Sequence, residues 1–127
     1  MTVSFETAKR LKEAGFPQPL PQRGQIWFFK NGVGMVVTCG GDLLDVEMCD
    51  YVTASGTLYL NRYLNDGEVF APMATDILRH LPGHALTIEG DLWVIFEIET
   101  GYYISDWNEN PAEAAAQAWI HENQPLR

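Results

Sequence analysis

Apolar positions at the start of the chain recur with a helical period: Phe5, Ala8 and Leu11 share one face, while Glu6, Lys9, Arg10, Lys12 and Glu13 fall mostly elsewhere. Ser4 is placed to cap this helix. Gly15 is placed to end it in the left-handed C′ conformation, with Leu11 and Phe16 at the C3 and C″ positions of a Schellman motif. Pro17, Pro19 and Pro21 then impose an extended connector, closed by Arg23-Gly24. From here the period is two. Residues 25–30 and 33–38 are apolar, aromatic and β-branched, and Asn31-Gly32 between them predicts a hairpin with a type I′ turn. Ile26 and Phe28 take one face of the first strand and Trp27 and Phe29 the other, so both faces are apolar. Gly40-Gly41 ends the second strand, and residues 42–51 predict another. Residues 52–67 read as irregular, with turns at Ser55-Gly56 and Asn65-Asp66-Gly67. Between those turns Tyr59 and Tyr63 have helical spacing while Leu58 and Leu60 alternate, which leaves both assignments open.

Pro72 suits the first turn of a short helix whose apolar side is Ile77, Leu78 and Leu81, stopped by Pro82-Gly83. Residues 85–89 and 92–99 flank Gly90-Asp91, a glycine-first pair that predicts a type II′ hairpin. In its later strand Leu92, Val94, Phe96 and Ile98 make one wholly apolar face. Thr100-Gly101 turns the chain again, and residues 102–107 predict an aromatic strand that completes a meander. Asn110 at the N-cap, Pro111 at N1 and Glu113 at N3 then form a capping-box arrangement. The helix it opens carries a stripe of Ala112, Ala115, Ala116, Trp119 and Ile120. The order helix, strands, helix, strands, helix predicts an α+β fold: one domain over residues 1–127, an antiparallel sheet built of hairpins, and N-terminal, short middle and C-terminal helices packed on it.

Composition narrows the class. The 127 residues fit one domain with a core of its own, and no apolar tract approaches the roughly 20 residues of a membrane span. No basic, then apolar, leader opens the chain, so a cytoplasmic protein is expected, with Cys39 and Cys49 as reduced thiols. The formal net charge is −9 and it is unevenly spread. The first 30 residues carry five Lys/Arg against two Asp/Glu, whereas residues 85–126 carry eight acidic side chains and no Lys or Arg. Such a field repels nucleic acid and anionic membranes, so neither is expected as a direct partner. Oligomeric state stays open, a basic front and acidic back being able to associate head to tail.

Candidate chemistry is sparse, and the sequence singles out no catalytic, cofactor-binding or metal-ligating residue. Gly32-Val33-Gly34 lies in a predicted hairpin rather than at a strand-to-helix turn, and HExxH, CxxC and GxSxG patterns are absent. His80, His84 and Asp76 could supply three metal ligands, but Pro82 and Gly83 break the helix that would align the histidines. Cys39, Cys49, Asp42, Asp45, Glu47 and Asp50 concentrate thiols and carboxylates, although alternation along a strand sends neighbours to opposite faces. The aromatic residues are the stronger lead. Trp27, Tyr59, Tyr63, Trp93, Tyr102, Tyr103, Trp107 and Trp119 exceed what one small core needs, and rings beside carboxylates suit a protein surface or a cationic or nucleobase ligand.

Three stretches carry a resemblance: Ser4-Phe5-Glu6-Thr7-Ala8 through Leu11-Lys12-Glu13-Ala14-Gly15-Phe16-Pro17-Gln18; Phe70-Ala71-Pro72 with Ala74-Thr75-Asp76-Ile77-Leu78; and Asn110-Pro111-Ala112-Glu113-Ala114-Ala115. Together they resemble a family of small proteins of unassigned function from phage and prophage-like regions of bacteria. The shared motifs are helix starts and stops and carry no catalytic residue across. The resemblance implies a cytoplasmic accessory protein of phage origin.

Three readings follow. The first is a non-enzymatic module that binds a protein partner through an acidic and aromatic surface, in its sharper form a nucleic-acid mimic. The alternative is a small-ligand, nucleotide-type binder with an aromatic pocket, for which Lys30, Arg62 and Arg79 are the cations available to phosphate. A hydrolase built on Asp42, Asp45, Glu47 and Asp50 is a third.

Overall fold

The computed structural model describes residues 1–40, 48–64 and 67–123. The class is α+β: among the described residues there are three helices, a five-stranded antiparallel sheet and a separate two-stranded sheet. The chain divides into two compact units, one formed by Met1–Gly15 with the residues from Pro72 onward, the other by Phe16–Ala71.

The second unit is the larger sheet. Its strands are β1 (Ile26–Phe28), β2 (Gly34–Cys39), β3 (Met48–Thr53), β4 (Leu58–Tyr63) and β5 (Val69–Ala71), in the order β4-β3-β2-β1-β5. Register sets Phe70, Trp27 and Met35 side by side, and Val37 opposite Tyr51. These residues and Cys49 form the buried cluster, with Phe29, Tyr59 and Leu64 packed against it. The opposite face carries the row Ala71, Ile26, Val36, Val52, Leu58. The predicted β1–β2 hairpin is present, but its turn is not type I′. Phe29 and Val33 bracket a three-residue loop: the Phe29 N–H donates to Val33 O (2.9 Å) and the Gly32 N–H to Phe29 O (2.9 Å). Only Gly32 (φ 86°) takes the left-handed conformation, while Asn31 spends its side chain accepting from the Val33 N–H. The β3–β4 hairpin repeats this arrangement, with Thr53 N–H to Thr57 O, Gly56 N–H to Thr53 O and Gly56 at φ 88°.

The open segment 57–64 is thus strand β4, and its helical spacing of tyrosines is incidental. Tyr51 and Tyr59 stack at 5.3 Å across β3–β4. Predicted strand 42–51 is observed from Met48; its residues 42–47 lie outside the described residues. β5, within reach of no two-residue pattern in the sequence, pairs with β1, and Gln18 Oε1 accepts the Phe70 N–H (3.0 Å), tying the proline connector to this edge. Gly40 does more than end β2: a Cβ there would lie 2.3 Å from Pro21 O, so the connector passes where only glycine leaves room.

The first unit holds α1 (Phe5–Glu13), α2 (Ala74–Leu78), β6 (His84–Glu89), β7 (Leu92–Glu97) and α3 (Pro111–Glu122). Ser4 caps α1 by accepting the Thr7 N–H, and Gly15 (φ 93°) donates to Lys12 O in the expected C-terminal turn. Pro72 stands before the N-cap of α2 rather than inside its first turn. Met73 is that cap residue, its N–H held by Asp76 Oδ2 (2.9 Å), and Pro72 O accepts the Val3 N–H. The β6–β7 hairpin has the expected glycine-first turn, with Gly90 at φ 63°. Its apolar face is not the only one covered, since Val94 and Ile95 point to opposite sides and both are buried. α3 packs on β7 and α2. Besides the expected stripe, Ala114 and Ala118 are also fully buried, so small side chains let α3 sit close over most of its circumference.

Candidate functional site

The segment after β7 is where the aromatic residues reach solvent. It was expected to be a strand; it runs beside β7 but pairs only through the bridges Phe96↔Tyr103 and Trp93↔Asn108. Between the bridges the ladder is interrupted because the Ser105 hydroxyl, not a backbone carbonyl, accepts the Ile95 N–H (2.8 Å). The freed backbone of Asp106 turns to α3 instead. Its N–H donates to Gln117 Oε1 (2.7 Å), and Gln117 Nε2 donates back to Asp106 Oδ2 (3.0 Å). This reciprocal pair fixes the Asp106 carboxylate while leaving its other oxygen open to solvent.

Two shallow clefts share Asp106 and Gln117. The first, about 340 Å³, is lined by Thr7 and Arg10 of α1, by Trp107 and Asn108, and by Glu113 and Ile120 of α3. The second, about 370 Å³, is lined by Tyr103, Ile104, Ser105 and His121. Tyr103 and Trp107, one from each cleft, meet edge to face at 5.4 Å and 74°. Tyr103 is 58% exposed, Trp107 38% and Tyr102 73%. Tyr102, whose carbonyl accepts the Glu97 N–H, takes the opposite side of the segment from Tyr103.

The expected capping box of α3 is half made. Asn110 Oδ1 accepts the Ala112 N–H, but Glu113 reaches Ser4 N–H (3.0 Å) rather than back to Asn110, whose own N–H goes to Asn108 Oδ1. Asn110 Nδ2 in turn donates to Thr2 O (2.9 Å). The start of α3 therefore anchors the start of α1 and builds one wall of the first cleft. Among the described residues, ion pairs join Lys9 to Glu6 and His84 to Glu122; Glu97, Glu99, Asp106 and Glu109 stand in none.

The other candidates separate. No group of three metal-ligating side chains occurs among the described residues. His84 Nδ1 donates to Pro82 O (2.9 Å), with Nε2 3.8 Å from Glu122, and Asp76 is engaged at the α2 cap. Asp42, Asp45 and Glu47 lie outside the described residues. Asp50 accepts the N–H of Asn61, which bulges at φ 52°, and so serves the β4 edge. Cys39 and Cys49 are free thiols; burial, and then the Asp50 carboxylate, push the Cys49 thiol up to about 11, which makes it a poor nucleophile or ligand. Of the aromatic residues named from the sequence, Trp27 and Trp119 are buried packing residues and Tyr59 and Arg62 face each other at 5.4 Å. Lys30, Arg62 and Arg79 line neither cleft. Thr7, Arg10, Ser105 and Gln117 escaped the sequence reading, since single polar residues at helical or loop positions carry no pattern.

No helix among the described residues is long and apolar enough to cross a membrane. No protein-family model, curated protein or solved structure matches the chain.

Proposed function

We propose that this protein is a non-enzymatic binding module whose contact surface for a protein partner is the aromatic and acidic edge formed by residues 102–107 beside α3. The observation that carries this reading is the exposure of Tyr103 and Trp107, held edge to face, next to carboxylates that have no counter-ion among the described residues. Exposed aromatic rings on a fixed backbone supply contact area at low entropic cost, and unpaired carboxylates steer a basic partner. A cytoplasmic, phage-associated role rests on the resemblance of the helix-boundary motifs alone. The nucleotide-type alternative draws less support, because its cations stand away from both clefts.

The test is affinity capture from cell lysate at low and high salt with three baits: wild type, Tyr103→Ala/Trp107→Ala, and Glu97→Gln/Glu99→Gln/Asp106→Asn. The expected result is a protein retained by wild type, lost from the aromatic variant and weakened both by salt and in the neutralised variant. The same captured set on all three baits would overturn the reading.

A further inference from the structure

Building on the protein-binding reading, we infer that the partner docks by seating an arginine side chain in the second cleft, between the Asp106 carboxylate and the ring face of Tyr103. Three features of the cleft select that chemistry. Asp106 is a positioned anion: both bonds to Gln117 hold it, and its remaining oxygen lacks any donor among the described residues. Tyr103 presents an open ring whose orientation is set by the edge contact with Trp107. The cleft contains no Lys or Arg of its own, whereas the neighbouring cleft is occupied on its α1 wall by Arg10, which repels a second cation. A planar guanidinium satisfies both walls at once, donating to a carboxylate in its plane and stacking on an aromatic face; a lysine ammonium does only the first well. The surrounding Glu97, Glu99 and Glu109 add no specific contact but raise the local concentration of a basic segment.

The experiment is an NMR titration of the full chain with N-acetyl-arginine amide and with its neutral citrulline counterpart, following the Gln117 side-chain amide and the Tyr103 ring. Asp106→Asn is the informative variant, because asparagine keeps the acceptor and donor geometry toward Gln117 while removing the charge. Saturable shifts at both reporters are expected with arginine, weaker by about tenfold with citrulline and in Asp106→Asn, the size of one charge-assisted hydrogen bond. Tyr103→Leu, which keeps the apolar bulk, is expected to weaken binding several-fold. Equal responses to arginine and citrulline, or a response spread evenly over all the exposed carboxylates, would overturn the seat. The two readings fail separately. A captured partner that is lost from Tyr103→Ala/Trp107→Ala but indifferent to Asp106→Asn removes the arginine seat and leaves the protein-binding surface standing. A captured set unchanged by the aromatic variant removes both.

Discussion

The two units place their large side chains in opposite ways. In the five-stranded sheet the rings go inward: Trp27 and Phe70 pack at 5.5 Å, and Tyr51 is buried beside them. In the unit built around α3 the interior is filled by Ala112, Ala114, Ala115, Ala116 and Ala118, and it is Tyr102, Tyr103 and Trp107 that face solvent. Burying a ring contributes on the order of 2–3 kcal/mol, so a fold that leaves three outside and fills its core with methyl groups is not using them for stability. The sheet has its own exposed side chains, Leu58 and Leu60 on β4, but these are aliphatic and lie on an edge disrupted by the Asn61 bulge and by Arg62, devices that discourage pairing. The contrast separates packing aromatics from contact aromatics.

That contrast can be broken at several points. The largest effect is expected inside the sheet, where Trp27→Ala should cost about 3–5 kcal/mol in a urea titration by emptying the middle of the Phe70–Trp27–Met35 row. Gly40→Ala comes next, at about 1–3 kcal/mol, because the new methyl meets the Pro21 backbone, which cannot rotate away as a side chain could. In the α3 unit, Asn110→Ala should cost about 1–2 kcal/mol by removing both the cap and the bond to Thr2 O, again readable by urea. Smaller still is a pH effect confined to the sheet. With the Cys49 thiol raised in the folded state, stability is complete below the unfolded-state value near 9 and falls as pH rises toward about 11. Tyr51, also raised by burial, acts in the same direction. The urea midpoint of wild type should therefore decline between pH 9 and 11 more steeply than that of Cys49→Ala. A thiol reagent at neutral pH should modify the half-buried Cys39 well before Cys49.

Legibility in the sequence followed how local each determinant is. The Ser4 and Asn110 caps, the Gly15 stop and the Gly90 turn are written within four residues and were readable. The β1–β2 hairpin was readable but its turn type was not, because Asn31-Gly32 suits both a two-residue loop and the end of a three-residue one. β5 was missed because three residues are too few to show a period, and it exists through its partner β1 and the side chain of Gln18. Residues 102–107 alternate like a strand, yet one hydroxyl, Ser105, diverts the ladder. At the site, the surplus of aromatic residues and the cation-free acidic run pointed to the right stretch of chain. The sequence carried no trace of the Asp106–Gln117 pairing, eleven residues apart, which depends on how α3 returns past the segment.

The separation of packing from contact aromatics is tested most directly by the urea stability of Tyr103→Ala/Trp107→Ala. With both rings exposed and only their mutual contact to lose, the expected cost is below about 1.5 kcal/mol. A loss of about 4 kcal/mol or more, the scale of a core aromatic, would show that the rings hold the α3 unit together and would contradict their assignment as a contact surface.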